Sequence, residues 1–162
     1  MFNRIYISIS LLMVIINITG CKQSLKQKII AQYEHCKISD TCSILINNLT
    51  SFEWDKMYVF GSYANDEIIS STVNFIYTGK PITPGFRRIL FTWGRKKIYE
   101  EDYQLRSYRN SVIDFKNIND SILKIRSYSF TQEDAFFMIA KEKIPGSCSS
   151  CFLYLLIHLE NN

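Results

Sequence analysis

The segment from residue 52 to residue 60 constrains the fold most, because it is apolar on both faces of an extended chain. Successive side chains of a strand point to opposite faces, and here one face is aromatic and the other aliphatic: Trp54, Tyr58 and Phe60 against Met57 and Val59. A strand that is apolar on both faces is usually covered on each side. The segment is therefore predicted to be a central strand of a sheet.

Other segments with strand patterns predict an antiparallel sheet around this strand. Residues 86–93 and 97–103 flank Gly94, which predicts a β-hairpin whose first strand has Ile89, Phe91 and Trp93 on one face. The remaining strand candidates are residues 41–47, 111–115, 121–130, 136–140 and 152–159, of which the last two are predicted to pair. Thr131-Gln-Glu-Asp134 has the form of a capping box, so a helix over residues 136–143 is the alternative there.

Two short amphipathic helices are predicted from apolar residues that recur every three or four positions. The first covers residues 24–37 with Ser24 as its N-cap, and the second covers residues 67–76 after Asn65 or Asp66. Whether the first helix packs on the domain or only links it to another structure is left open. The apolar stripes are Leu25, Ile29, Tyr33 and Cys36 in the first helix and Ile68, Ile69, Val73 and Ile76 in the second.

The first twenty residues have the parts of an export signal. Arg4 is the only charged residue before Lys22, and an apolar run of about 14 residues follows it. A bilayer-spanning helix needs about 20 apolar residues, so the run is short for a permanent span. Residues 1–20 are therefore predicted to be a signal peptide. An ordinary secretory signal that happens to precede a cysteine is one interpretation of this segment.

A second interpretation comes from Ile18-Thr19-Gly20-Cys21, which resembles the lipobox of bacterial lipoproteins. The resemblance implies cleavage after Gly20, a diacylglycerol thioether on Cys21 and an acyl chain on its new amino group. Two or more chains make membrane anchoring stable. Lys22 stands where inner-membrane retention in this class uses Asp, so the resemblance favours the periplasmic face of the outer membrane. Membrane lipid is then one partner, and no cofactor is expected besides this covalent lipid.

The segment Trp54-Asp55-Lys56-Met57-Tyr58-Val59-Phe60 is similar to a Trp-Asp-Lys-x-Tyr-x-Phe strand found in small bacterial lipoproteins of unassigned function. The similarity extends over about residues 49–102, a third of the chain. It implies no particular activity. The predicted organisation is a signal peptide (1–20), a lipid anchor with an N-terminal helix (21–40) and a single α+β domain (41–162). The fold class expected for that domain is an antiparallel β-sheet with one or two short helices.

The cysteines predict a disulfide-bonded chain. If Cys21 carries lipid, four remain, an even number that suits two disulfides in an oxidising compartment. Three pairings are possible, and the two local pairs need no assumption about topology: Cys36–Cys42 and Cys148–Cys151. Cys148-Ser-Ser-Cys151 could instead be a redox motif, although such motifs begin a helix and this one precedes an apolar strand-like run. A zinc site is disfavoured because the cysteines are far apart in sequence.

Charge and histidine content predict no catalytic or metal-binding group. The chain without its leader carries 18 Lys and Arg against 15 Asp and Glu, which makes no case for nucleic acid as a partner. His35 and His158 have no ligand at metal spacing. Asp55 and Lys56 are predicted to be an ion pair at a strand end, and a functional site within the aromatic strand is the alternative.

Two charged groups flank the predicted hairpin. The carboxylates of residues 100–102 alternate between faces and are predicted to be a solvated edge. The basic residues are predicted to keep the hairpin edge soluble, and an acidic partner or lipid head groups are the alternative. The basic residues are Arg87, Arg88, Arg95, Lys96 and Lys97.

These observations favour a membrane-anchored, non-enzymatic binding module of inhibitor or immunity type, with an envelope protein as its partner. One alternative is a structural or assembly accessory of the envelope. A second alternative is a thiol oxidoreductase that uses Cys148 and Cys151.

Overall fold

The computed structural model describes residues 23–34, 42–105, 107, 111–117, 127–144, 146, 148–149 and 151–158. The predicted α+β class is confirmed, with two short helices and a predominance of antiparallel strands. In chain order the elements are α1 (Leu25–Tyr33), β1 (Cys42–Leu45), a 3-10 helix (Ile46–Leu49), β2 (Lys56–Phe60), α2 (Asp66–Val73), β3 (Phe86–Trp93), β4 (Lys96–Gln104), β5 (Val112–Asn117), β6 (Ser127–Thr131), β7 (Phe136–Lys143) and β8 (Phe152–His158).

The described strands form two four-stranded sheets where the sequence predicted one. The first sheet has the order β1-β7-β8-β5, and the second has the order β4-β3-β2-β6. The predicted hairpin β3–β4 and the predicted pair β7–β8 are both present and antiparallel. Strand β5 pairs with β8 in parallel, which the local sequence pattern did not predict because the two strands are far apart in the chain. The capping-box alternative is wrong, since residues 132–134 form a turn that leads into β7.

The inner core lies between the two sheets and is rich in aromatic contacts. Phe115 of β5 and Phe130 of β6 both meet the ring of Phe137 edge-on, at centroid distances of 5.2 and 5.0 Å. Strand β2 contributes Met57 and Val59 to this core. Buried aromatic area of this kind dominates the free energy of folding, at roughly 25 cal/mol per Å² of apolar surface.

Helix α1 packs on this core, which answers the question left open by the sequence. Leu25, Ile29 and Tyr33 are buried among the core side chains, as the predicted stripe requires. Ser24 is the N-cap and forms a reciprocal capping box with Gln27. The backbone N–H of Leu25 also donates to Glu101 of β4 at 2.8 Å. The start of α1 is therefore fixed directly to the edge strand of the second sheet.

The outer face of the second sheet is covered by α2 and the loop that follows it. Tyr58, Phe60 and Leu90 face this layer and pack against Ile69 and Val73 of α2. Strand β2 is therefore an interior strand covered on both faces, as predicted. Helix α2 begins after Asn65, whose side chain accepts a hydrogen bond from Ile68.

Three apolar residues lie elsewhere than predicted. Trp54 is in the inner core with Met57, not on the face of Tyr58, because β2 begins only at Lys56 and the alternation does not extend back to Trp54. Ile76 is 89% exposed, because α2 ends at Val73 and the next residue is left-handed. Trp93 is 50% exposed, because it ends β3 beyond a bulge at the pairing of Phe91 with Tyr99.

Candidate functional site

The basic residues around the hairpin do not form one exposed cluster. Arg88 is 2% exposed, and its guanidinium donates to both carboxylate oxygens of Asp102 at 2.7 and 2.8 Å. It also donates to the hydroxyl of Tyr77 at 2.6 Å and to the carbonyl of Lys80 at 2.8 Å. The hydrogen bonds to Asp102 raise the pKa of Arg88 above its ordinary value. Arg88 therefore holds the loop after α2 onto the sheet.

Arg87 is also engaged inside the protein. Its guanidinium donates to Asp114 at 2.5 Å and to the carbonyl of Phe115 at 2.8 Å, which links the two sheets. Burial acts to lower the pKa of Arg87, but Asp114 together with the nearby Tyr103 and Tyr128 outweighs that effect and raises the pKa. The prediction of a solvated basic edge is wrong for Arg87 and Arg88, while Arg95 and Lys96 in and after the hairpin turn are exposed.

Strand β4 is an edge strand, as predicted, but its three carboxylates each accept hydrogen bonds from the protein, so the prediction that they are simply solvated is wrong. Besides Asp102, Glu101 accepts from Leu25 and from the hydroxyl of Tyr99 at 2.6 Å. Glu100 accepts from Tyr77 at 2.8 Å and pairs with Lys97 at 3.0 Å. Burial acts to raise the pKa of Glu100, but these two donors together with the charge of Arg88 outweigh it and lower the pKa.

An open cleft beside the same sheet is the best candidate for a binding site. Its volume is about 380 Å³, and its lining combines two tryptophans with acidic, amide and hydroxyl groups: Trp54, Asp55, Trp93, Thr131, Gln132 and Glu133. The cleft lies where three strands end together, because Lys56 of β2 pairs with Thr92 of β3 on one side and with Thr131 of β6 on the other.

The floor of the cleft is held by hydrogen bonds to Asp55. Its carboxylate accepts from the Thr92 hydroxyl at 2.9 Å and from the backbone N–H of Gly94 at 2.6 Å. Gly94 has φ of 56°, a left-handed turn conformation that glycine adopts without strain. The predicted Asp55–Lys56 ion pair is wrong, since within the described residues no ion pair joins them. Asp55 instead closes the β3–β4 turn.

The opposite wall of the cleft is the β6–β7 turn. The side-chain amide of Gln132 donates to the carbonyl of Trp54, and Thr131 and Asp134 bond each other through a hydroxyl and a carboxylate at 2.8 Å. Both walls are thus fixed before any ligand arrives. Glu133 is exposed, and among the described residues it forms no hydrogen bond or ion pair. It is a carboxylate at the rim of the cleft with unused acceptor capacity.

The two tryptophans of the cleft have different roles. Trp54 is fully buried, and its indole N–H donates to the Thr50 hydroxyl at 3.0 Å. Its ring meets Phe91 edge-on at 5.0 Å. Trp93 exposes half of its surface next to the turn. Tryptophan is enriched at protein interfaces and among the residues that contribute most to their binding energy. The sequence pattern placed Trp93 on one strand face with Ile89 and Phe91. Its position as the last pair of the hairpin, beside the Gly94 turn, was the available signal of its exposure.

Two other surface depressions are less suited to binding. One, of about 170 Å³, lies beside the start of α1 against Leu49, Phe52 and Tyr99. The other, of about 430 Å³, surrounds Arg88, whose donors are already used by Asp102, Tyr77 and Lys80. A charged group that is already matched inside the protein offers little to an incoming ligand.

The structure contains the Cys148–Cys151 disulfide, and Cys42 is disulfide-bonded as well. Cys151 is followed directly by strand β8, not by a helix N-terminus. A helix N-terminus is one of the environments that lower a thiol pKa. The lipidation residue Cys21, the leader, Cys36 and His35 lie outside the described residues.

His158 has a structural position at the end of β8. Its Nε2 lies 2.9 Å from the carbonyl oxygen of Asp134, and its ring packs on Phe130 at 5.0 Å. Within the described ranges, no three His, Cys, Asp or Glu side chains come together as a metal site. None of the helices in that part of the chain has the length and apolar character that a bilayer crossing requires.

No protein-family model matches this chain, and no curated protein or solved structure matches it.

Proposed function

We propose that this protein is a membrane-anchored lipoprotein of the periplasmic face of the outer membrane, and that it acts as a non-enzymatic binding module for an envelope protein. The half-exposed Trp93 in a preformed cleft is the observation that carries the binding role. Tryptophan anchors that enter a partner's pocket supply much of the energy of protein–protein interfaces. The type of partner expected is one that an inhibitor or immunity protein would engage.

The position of α1 supports a short tether. Leu25 is only four residues beyond Cys21, and four extended residues span at most about 14 Å. Because Glu101 accepts a hydrogen bond from the backbone N–H of Leu25, the part of the domain that is fixed to the sheet begins four residues after Cys21. A lipid on Cys21 would therefore hold the folded domain close to the bilayer surface and limit the partners that it meets.

The rigidity of the cleft supports recognition. Asp55 is fixed by two hydrogen bonds from β3 and its turn, and Gln132 is fixed by the carbonyl of Trp54. Groups that are ordered before binding lose less conformational entropy on association, which raises affinity. By contrast, Arg88 and the β4 carboxylates bond one another or neighbouring elements, so they contribute to the stability of the fold.

The test is capture of partners from detergent-solubilised envelope with the full-length protein. We expect the wild-type protein and Ile76→Ala to recover the same stoichiometric protein, whereas Trp93→Ala loses it. Ile76→Ala is the matched control because it removes an exposed large apolar side chain at another place. The captured protein is then purified, and its binding to the three forms is measured directly.

Two results contradict the proposal. Repeated recovery of the lipoprotein alone would refute a stable protein partner. Equal binding of the purified partner to wild-type protein and Trp93→Ala would refute the cleft as the surface involved. The lipid anchor is tested separately by the intact mass of the membrane-extracted protein. A mass that matches residues 21–162 with diacylglycerol and an acyl chain is expected, and an unlipidated product refutes the anchor.

A further inference from the structure

We infer that the cleft binds a cationic side chain of its partner, specifically an arginine guanidinium, held between the face of Trp93 and the carboxylate of Glu133. This inference rests on the proposed function, since it names the chemistry of the partner at the same cleft. It specifies which chemical group of the partner the cleft recognises.

The charges of the cleft select a cation. Asp55 and Glu133 both line it, and within the described residues neither forms an ion pair. The three ion pairs among those residues join Arg87 to Asp114, Arg88 to Asp102 and Lys97 to Glu100. Lys56 and Arg95 are the nearest exposed cations along the chain, and they leave the two cleft carboxylates without an ion pair. A cation from a partner would supply the missing charge.

The exposed indole of Trp93 adds a second attraction for the same group. The face of a tryptophan ring is the best aromatic surface for a cation, because its quadrupole places negative charge above the ring. A guanidinium is planar, stacks on such a face and can bond a carboxylate with two parallel N–H donors. An ammonium is a strongly hydrated point charge and matches this combination less well. The cleft volume of about 380 Å³ and its open mouth leave room for the end of an arginine side chain.

The two carboxylates of the cleft offer different interactions to a guanidinium from a partner. The carboxylate of Asp55 already accepts hydrogen bonds from Thr92 and Gly94. Its main contribution to ligand binding is therefore its negative charge at the floor of the cleft. Glu133 stands at the rim with no hydrogen bond of its own in the described part of the chain. A guanidinium that stacks on Trp93 would form an ion pair with Glu133 and would also be attracted by the negative charge of Asp55.

The test uses the ¹⁵N-labelled full-length protein in detergent micelles and reads its two tryptophan indole N–H signals by NMR. The Trp93 signal is assigned by its loss in Trp93→Phe, and Trp54 serves as an internal reference because it is buried and bonded to Thr50. The probes are N-acetyl-arginine amide, its neutral citrulline counterpart and N-acetylglucosamine. Glu133→Gln tests the carboxylate, and Glu67→Gln, which neutralises an exposed glutamate on α2, is the matched control.

We expect arginine amide to shift the Trp93 signal saturably and to leave the Trp54 signal unmoved. Glu133→Gln should weaken binding roughly threefold to fivefold, the upper part of the range expected for a solvent-exposed charge pair, and Glu67→Gln should not. Equal binding of citrulline would overturn the role of charge, and saturable binding of the sugar alone would overturn a cation as the ligand. The absence of a saturable shift with arginine amide, or an equal shift of both signals, would overturn the site.

The NMR titration and the capture experiment distinguish the arginine site from the proposed binding function. Trp93-dependent capture of a protein together with no arginine binding would refute the cation and retain the binding module. Arginine binding without any captured protein would retain the cation site and refute the proposed function.

Discussion

Replacement of Asp102 by Asn should destabilise the protein much more than its partial exposure suggests. Asp102 is 34% exposed, but its partner Arg88 is buried and donates two charge-assisted hydrogen bonds to it. The amide of Asn keeps one acceptor and turns its other end into a donor that faces the guanidinium. The change therefore leaves a buried cation without its countercharge.

The expected magnitude follows from the burial of the two partners. Removal of one member of a fully buried ion pair costs about 3–5 kcal/mol. Because a third of Asp102 is exposed, water can replace part of the lost interaction, and we expect about 2–3 kcal/mol of unfolding free energy. For a chain of this size, that corresponds to a fall in Tm of about 6–10 °C. Urea unfolding followed by far-ultraviolet circular dichroism measures the free energy, and a thermal scan measures Tm.

The control is Glu100→Gln, which makes the same charge change on the same strand. Glu100 bonds Tyr77 and the half-exposed Lys97, and a pair of that kind contributes at most about 1 kcal/mol. The double variant Arg88→Met with Asp102→Asn should cost at least about 1.5 kcal/mol less than the sum of the two single changes. Equal losses for Asp102→Asn and Glu100→Gln, or additive losses in the cycle, would refute the buried-cation argument.

Three further predictions concern tyrosine hydroxyls, alkaline pH and the disulfide. Tyr33→Phe should leave stability unchanged or raise it by about 1 kcal/mol, because the described residues give the buried Tyr33 hydroxyl no partner. Tyr99→Phe should instead lower it by about 1–2 kcal/mol, because that hydroxyl donates to Glu101, and equal urea midpoints for the two variants would contradict both expectations. Burial raises the pKa of Tyr33 and of Tyr99 to about 12, from 10.0. The folded state thus keeps protons that the unfolded chain releases, and stability should fall from about pH 10 to pH 12; a flat urea midpoint across that range would contradict this. Replacement of both Cys148 and Cys151 by Ser opens a four-residue loop and should cost about 2 kcal/mol in urea unfolding, whereas no change would mean that the bond does not restrict the unfolded chain.

Local sequence rules predicted the parts of the fold that local chemistry determines. Ser24 caps α1, and the reciprocal bond with Gln27 is a four-residue pattern that needs no tertiary information. Gly94 marks the β3–β4 turn because a positive φ is needed there. The two-faced apolar pattern of β2 correctly implied cover on both sides, although it did not say that a second sheet covers one face and α2 the other.

The basic residues of β3 show where such reasoning stops. Arg87 and Arg88 look like surface charge in the sequence, yet their carboxylate partners lie 27 and 14 positions away. Asp102 meets Arg88 because the hairpin register places them opposite each other. Asp114 meets Arg87 only because β5 belongs to the other sheet. A burial prediction for an arginine thus requires the register and the packing of sheets, which periodicity alone does not contain.

The candidate site is formed at the point where the regular pattern of β3 ends. The pairing of β3 with β4 shifts between Phe91 and Thr92, and Trp93 follows that shift at the last position of the strand. Bulges often occur beside functional sites because they redirect a side chain without unfolding the sheet. Lys56 pairs with both Thr92 and Thr131, so the two walls of the cleft keep a fixed separation while Trp93 remains exposed. The strand ends at which the alternation breaks therefore produce a rigid cleft lined by a half-exposed tryptophan, and the proposed binding role relies on this preformed arrangement.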